Sequence, residues 1–140
     1  MIFVDTNVIS ETLRRAPNPA VIAWLIRHDA ELALPTVTIA EIAFGIGKIH
    51  PDQRGKRLES GLTDWRNRFV GRIFGFNEIA ALAYGEIMSN AWRQGRPMSS
   101  QDGMIAAIAH ANGGAVATRN VKDFATTGLK LENPWDMKLG

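Results

Sequence analysis

Short apolar runs alternate along this chain with longer stretches in which apolar residues recur every three or four positions. The short runs predict strands at 2–5, 31–37, 71–76, 115–120 and 129–135. The longer stretches predict helices at 7–15, 19–28, 38–49, 77–95 and 99–114. The charged segment 50–69 has the composition of a loop that continues into a surface helix. The chain is therefore expected to alternate strands with helices over most of its length.

Local signals mark the ends of several predicted helices. Pro19 occupies a first helical position, where its missing N–H costs nothing. Asn77 has the chemistry of an N-cap, and Gly95 follows the end of the same predicted helix. Short strands that alternate with helices indicate β-α units, hence an α/β fold with a mostly parallel sheet covered on both faces. No repeat or linker divides residues 1–140, so we expect one domain.

The amino-acid composition limits the kinds of function that this chain can have. The chain lacks cysteine, which excludes disulfides and thiolate metal sites and suits a reducing cytoplasm. No apolar run approaches the ~18 residues of a membrane span, so no membrane partner is expected. The net charge of +2 and the pI of about 9.3 are compatible with nucleic-acid binding without demonstrating it.

Four acids occupy comparable places in the predicted topology. Asp5 ends the first strand, and Glu41 lies in the early turns of the helix that follows the second strand. Asp102 lies in the first turn of its helix, and Asp123 follows the strand at 115–120. Parallel strands end at one edge of their sheet, where ligands of such folds bind. We therefore expect the four carboxylates to converge there.

Each acid also fits a purely local role. Asp5 has the chemistry of a helix cap, and Asp123 that of a turn former. Thr38 with Glu41, and Ser99 with Asp102, match the capping-box spacing or its aspartate variant. Local capping, however, requires no particular arrangement of these acids in space, whereas a shared site does.

Four clustered anions repel one another, and a divalent cation would relieve that repulsion. Mg²⁺ and Mn²⁺ bind hard oxygen ligands, typically a few carboxylates together with water and phosphate oxygens. With no cysteine and only 3 histidines, this chain suits an all-oxygen Mg²⁺ or Mn²⁺ site better than a zinc site. The residues alone thus predict a divalent-metal site at this edge of the sheet.

The motifs around these acids resemble those of the PIN-domain ribonucleases, specifically bacterial toxins of the VapC/FitB type. FVDTNVIS, TIAEIAFGI and SSQDGMIAAIAHANGG are similar to the first three family motifs. VATRNVKDF and the tail GLKLENPW are similar to the fourth motif and the C-terminal strand. The resemblance spans essentially the whole chain and implies a three-layer α/β/α sandwich.

The resemblance also implies an activity and partners. It makes Asp5, Glu41, Asp102 and Asp123 the acidic quartet of a cytoplasmic, Mg²⁺- or Mn²⁺-dependent endoribonuclease that leaves 5′-phosphate and 3′-hydroxyl ends. Thr118 and Asn120 match supporting polar positions, and Thr6 and Asn7 are expected to help order the site. The expected partners are RNA, a small DNA-binding antitoxin that plugs the site, and a second copy in a homodimer, with larger assemblies on operator DNA.

Roles within the site follow from this chemistry. A metal-activated water would attack the phosphate, with Asp5 a direct or bridging ligand and Asp102 and Asp123 direct or water-mediated ligands. Glu41 would bind metal or orient the water. Arg119 and Lys122 flank the fourth motif and are candidates for phosphate binding. The alternatives are a metal-dependent DNA nuclease or phosphohydrolase, and a non-catalytic RNA-binding domain of PIN-like fold.

Overall fold

A computed structural model describes residues 1–139 and contains a central sheet of five parallel strands. The strand order is β3-β2-β1-β4-β5, so β1 is the middle strand. The strands are β1 (Ile2–Val4), β2 (Leu32–Pro35), β3 (Ile73–Phe74), β4 (Ala115–Ala117) and β5 (Leu131–Glu132). This confirms the predicted α/β class and the parallel sheet.

Helices connect the strands and cover the sheet. They are α1 (Thr6–Thr12), α2 (Pro19–His28), α3 (Thr36–Lys48), α4 (Gln53–Arg68), α5 (Glu78–Arg93) and α6 (Ser100–Ala111). Single 3₁₀ turns follow α2, β4 and β5, at Asp29–Glu31, Val121–Phe124 and Pro134–Asp136. Over residues 1–139, no helix combines the length and the apolar character that crossing a membrane requires.

Alternate residues of the strands point into two separate cores. Ile2 and Val4 of β1 pack with α1, α2 and α4 on one face of the sheet. Phe3 of the same strand packs with α5 and α6 on the other face. All three side chains are buried, as expected for a parallel strand covered on both sides. The result is the three-layer sandwich expected from the family resemblance.

Several predicted element boundaries are wrong in ways that bear on the site. The first helix ends at Thr12 instead of residue 15, and β4 ends at Ala117 instead of residue 120. Thr38 does not cap α3, because that helix begins two residues earlier with Pro35 as N-cap. The Thr38 hydroxyl instead donates a hydrogen bond to the Val4 carbonyl at 3.0 Å and so ties α3 to the end of β1.

Candidate active site

Asp5 directly follows the middle strand, β1, and lies at the carboxyl edge of the sheet. Its backbone N–H donates to the Ala117 carbonyl at 2.9 Å, which continues the pairing of β1 with β4 by one residue. The backbone then turns into α1, and the Asp5 Oδ1 atom accepts a hydrogen bond from the Thr6 N–H at 2.7 Å. Asp5 is thus both the helix cap that its sequence context suggested and a carboxylate at the strand end, with only 4% of its surface exposed.

Thr118 holds the second oxygen of this carboxylate. Its hydroxyl donates to Asp5 Oδ2 at 2.7 Å and accepts the backbone N–H of Asn120 at 3.0 Å. Asn7 donates from Nδ2 to the same Asp5 oxygen at 3.1 Å and accepts the Arg119 N–H at 3.3 Å. Asp5 therefore accepts three hydrogen bonds, and these fix the orientation of its carboxylate before any ligand is bound.

Glu41 is joined to this network through Thr6. The Thr6 hydroxyl donates to Glu41 Oε1 at 2.6 Å and so links the start of α1 to the second turn of α3. All four residues predicted to support the site, Thr6, Asn7, Thr118 and Asn120, thus contact an acid or a residue that holds one.

Asp102 and Asp123 approach from the other side of the sheet. The Ser99 hydroxyl caps α6 by accepting the Asp102 N–H at 3.1 Å, which confirms the predicted helix start. Gly103 lets α6 pack closely on α5, because a Cβ there would overlap the Met88 thioether. Asp123 lies exposed in the 3₁₀ turn after β4, and the fully buried ring of Phe124 anchors that turn in the core.

The negative charges of the other three acids act on Asp102. Burial raises the pKa of Asp102 to about 6, and the negative charges of Asp5, Asp123 and Glu41 add to that rise. Burial also raises the pKa of Asp5, with a further rise from Glu41, against the lowering by its three hydrogen bonds. Carboxylates from four separate elements thus converge at the carboxyl edge of the sheet.

The donor set fits a hydrated Mg²⁺ or Mn²⁺ ion. It consists of carboxylate and hydroxyl oxygens, and burial together with the neighbouring carboxylates raises the pKa of Asp5 and of Asp102. Within residues 1–139, no three acidic or imidazole side chains are close enough to hold one ion directly. Mg²⁺ commonly keeps several waters and binds one or two carboxylates, so this spacing suits an ion that is only partly coordinated by protein.

The two predicted phosphate-binding residues face different surroundings. Lys122 lies exposed beside a cavity of about 380 Å³ that Asp102 and Asp123 also line. Arg119 is exposed too, but its guanidinium lies over the Trp135 ring, 5.1 Å from the centroid. Arg96, which the sequence did not single out, lines the same cavity as Lys122. The signal in the sequence that would have suggested Arg96 is its position shortly before Ser99, which caps the helix that carries Asp102.

Replacing Asp102 by asparagine is expected to stabilise the metal-free protein near neutral pH. The folded pKa of about 6 exceeds the unfolded value of 3.8, so the folded state binds this proton more tightly. Its contribution to stability is therefore full below pH 3.8 and is lost as the pH rises through 6. The whole shift corresponds to about 3 kcal/mol, and solvent screening of this half-buried group reduces it to roughly 1–2 kcal/mol.

Urea unfolding in chelator from pH 4 to 7.5 measures this effect. The free energy of unfolding of the Asp102→Asn protein should fall less across that range than that of the wild type, with the residual slope owed partly to Asp5. Asp64→Asn removes an exposed carboxylate on α4 and is the matched control, for which no such change is expected. Equal pH dependence of wild type and Asp102→Asn would contradict the clustering of charges.

Comparisons with known proteins agree with this geometry. The PIN domain family matches residues 2–128. VapC ribonuclease Y4jK of Sinorhizobium fredii is 36% identical over 97% of this chain and 99% of its own. Toxin FitB of Neisseria gonorrhoeae is 37% identical over 96% and 99%, respectively. The structure of FitAB bound to IR36 DNA superimposes with a TM-score of 0.90 at 35% identity, covering 99% of both chains.

Proposed function

The chain belongs to the PIN-domain family, and from that premise we propose that it is a cytoplasmic, metal-dependent endoribonuclease that serves as the toxin of a toxin–antitoxin pair. The observation that carries this proposal is the convergence of Asp5, Glu41, Asp102 and Asp123, in which burial raises the pKa of Asp102 to about 6 and the charges of the other three acids add to that rise. A surface that binds RNA without cutting it has no need of clustered anions, since they repel phosphate. Clustered carboxylates suit a site that binds a divalent cation from the solution.

The names of the relatives support the choice of substrate and of partner. Y4jK is named a ribonuclease and FitB a toxin, and both align with nearly the whole chain. The FitAB structure contains DNA, as expected of a complex in which an antitoxin binds operator DNA. We therefore assign RNA as the substrate and a small DNA-binding antitoxin as the partner.

Asp5 and Asp102 are the residues best placed to hold Mg²⁺ or Mn²⁺, with Glu41 and Asp123 acting directly or through water. When bound, such an ion lowers the pKa of a coordinated water and offsets charge on the phosphate. The neighbouring residues orient the carboxylates of Asp5 and Glu41. Thr118 and Asn7 hold Asp5 Oδ2, and Thr6 holds Glu41 Oε1, which leaves Glu41 Oε2 to accept a hydrogen bond from the attacking water.

The homodimer expected from the resemblance stays a prediction, and the exposed apolar side chains of the chain indicate where it would form. Ile79 and Leu82 on α5 are 65% and 72% exposed, and Phe44 on α3 is 67% exposed. We expect a second copy to cover some of these exposed side chains, and operator DNA would join such dimers into larger assemblies through the antitoxin.

Incubation of the purified protein with single-stranded RNA and DNA of one sequence tests the proposal. With Mg²⁺ or Mn²⁺ we expect RNA cleavage that leaves 5′-phosphate and 3′-hydroxyl ends, and no cleavage in chelator. End-labelled substrates resolved on denaturing gels measure both the rate and the nature of the ends.

Each other outcome assigns a different function. Robust RNA cleavage in chelator would overturn the metal-dependent mechanism. Cleavage of DNA in preference to RNA would indicate a DNA nuclease, and hydrolysis of small phosphate esters alone a phosphohydrolase. RNA that is bound but uncut in both metals would make the protein a binding domain.

A further inference from the structure

The cavity beside Asp102 and Asp123 has a basic rim. Its volume is about 380 Å³, within the range of sites for small ligands. Asp102 and Asp123 line it on the catalytic side, and Arg96 and Lys122 also border it. Pro97 and Met98 add an apolar surface beside Arg96. Acidic and basic groups are thus arranged next to one another at one opening.

Arg96 is held in place by its own backbone and by the turn that carries Asp123. Its backbone N–H donates to the Ala91 carbonyl at 2.9 Å, which fixes the loop after α5. Its Nη2 donates to the Lys122 carbonyl at 3.2 Å. A guanidinium has five N–H donors, so this bond leaves most of them for a ligand. The Arg96 side chain is therefore held in place while most of its donors can still bind a ligand.

The positive charges of Arg96 and Lys122 are not balanced by the neighbouring acids. Among residues 1–139, neither side chain forms an ion pair within 4.0 Å of a carboxylate. Two cations without a carboxylate partner therefore border the cavity that Asp102 and Asp123 line, and this pattern is expected where a ligand carries negative charge of its own.

We propose that Arg96 and Lys122 together bind the RNA phosphate adjacent to the one that is cleaved. The inference rests on the proposed ribonuclease function and adds to it a subsite that fixes the register of the strand. The planar guanidinium suits two phosphate oxygens, and the ammonium adds a point charge. The scissile phosphate then lies toward Asp102 and Asp123, where the acids need a metal ion, and its neighbour lies on the cations.

Binding of a fluorescent single-stranded RNA, measured by anisotropy in chelator at several salt concentrations, separates this subsite from the chemistry. Each phosphate contact contributes about 0.7 to the slope of log affinity against log salt for single strands. Because both cations contact one phosphate, we expect Lys122→Gln and Arg96→Gln each to lower the slope by part of that amount and the double variant to lower it by about the whole of it. Each single variant should weaken binding about tenfold at low salt. Cleavage kinetics with Mg²⁺ should show a raised KM and a nearly unchanged kcat.

Three variants separate charge from structure. Lys122→Gln keeps the backbone carbonyl that holds Arg96, so its effect reports the ammonium alone. Arg96→Lys keeps the charge and should restore most of the slope. Lys130→Gln removes an exposed cation just before β5, at the opposite edge of the sheet, and should bind RNA as the wild type does.

The outcomes distinguish this inference from the proposed function. Wild-type protein that cuts RNA, with Lys122→Gln and Arg96→Gln unchanged in slope and KM, would overturn the subsite and leave the ribonuclease intact. A loss in Arg96→Gln that Arg96→Lys does not restore, with Lys122→Gln unchanged, would assign Arg96 to folding alone and overturn the subsite. Wild-type protein that neither binds nor cuts RNA would overturn both.

Discussion

Asp5→Asn is expected to lower kcat/KM for RNA cleavage by about a thousandfold while the fold is retained. Asparagine keeps the shape of the side chain and one acceptor oxygen for the Thr6 N–H, but it removes the negative charge that would bind the proposed metal ion. The several kcal/mol that metal coordination contributes to transition-state stabilisation correspond to this factor. The stability of the metal-free protein should change little, because removal of the costly buried charge is offset by loss of the hydrogen bonds that Thr118 and Asn7 donate to Oδ2.

Two measurements check this expectation. The first is the initial rate of RNA cleavage at saturating Mg²⁺, with thermal unfolding followed on the same samples. The second is growth of cells that express the protein without its antitoxin, which the wild type should arrest and Asp5→Asn should not. Asp136→Asn, at an exposed carboxylate near the end of the described chain, is the control. Equal toxicity of the wild type and Asp5→Asn would argue against a nuclease cause of growth arrest.

Thr118→Val is expected to reduce cleavage about 10- to 100-fold although Thr118 binds no metal itself. Valine preserves the volume of this fully buried side chain but removes the hydroxyl that donates to Asp5 Oδ2 at 2.7 Å. The hydrogen bond stabilises the charged form of Asp5, so its loss raises the pKa of that carboxyl further. Activity should therefore disappear at a higher pH than in the wild type as the solution is acidified, and more Mg²⁺ should be needed for half-maximal rate.

Thr118→Ser is the matched variant, because it restores the hydroxyl and loses only a methyl group. It should return the acidic limb of the pH–rate profile toward that of the wild type, a shift that a mere loss of stability would not produce. If Thr118→Val lowered the thermal midpoint but left the pH profile and Mg²⁺ dependence unchanged, Thr118 would be a packing residue and not a positioning one.

Where a helix end is encoded by a few adjacent residues, the sequence predicted it well. Asn77 caps α5 by accepting the Ala80 N–H, and Pro19 begins α2, as their local chemistry required. Thr38 fits the capping pattern equally well, yet its hydroxyl is committed to a carbonyl of β1. That bond joins residues 34 positions apart, and no local pattern reports it.

The sequence pointed to the acids and to their supporting residues, but the individual contacts between them follow from the fold. Asp5 and Thr118 meet because β1 and β4 are neighbours, which follows from the strand order and not from either motif. Arg119 adjoins a motif and Arg96 does not, yet Arg96 lines the cavity with the acids whereas Arg119 lies over Trp135. The direction of a long side chain depends on packing by distant residues, which the position of Arg119 in its motif does not report. Phosphate binding by Arg119 stays a prediction.

Because β1 is the middle strand, the carboxylate site at its end is complete only when both neighbouring strands have been synthesised. Both neighbours of β1 lie downstream, and the hydrogen bond between Thr118 and Asp5 spans 113 residues. A nascent chain still lacking β4 has no partner for one side of its first strand and no hydroxyl to hold its first carboxylate. We therefore expect the chain to be inactive until β4 has been synthesised, which leaves an inhibitor translated alongside an interval in which to accumulate.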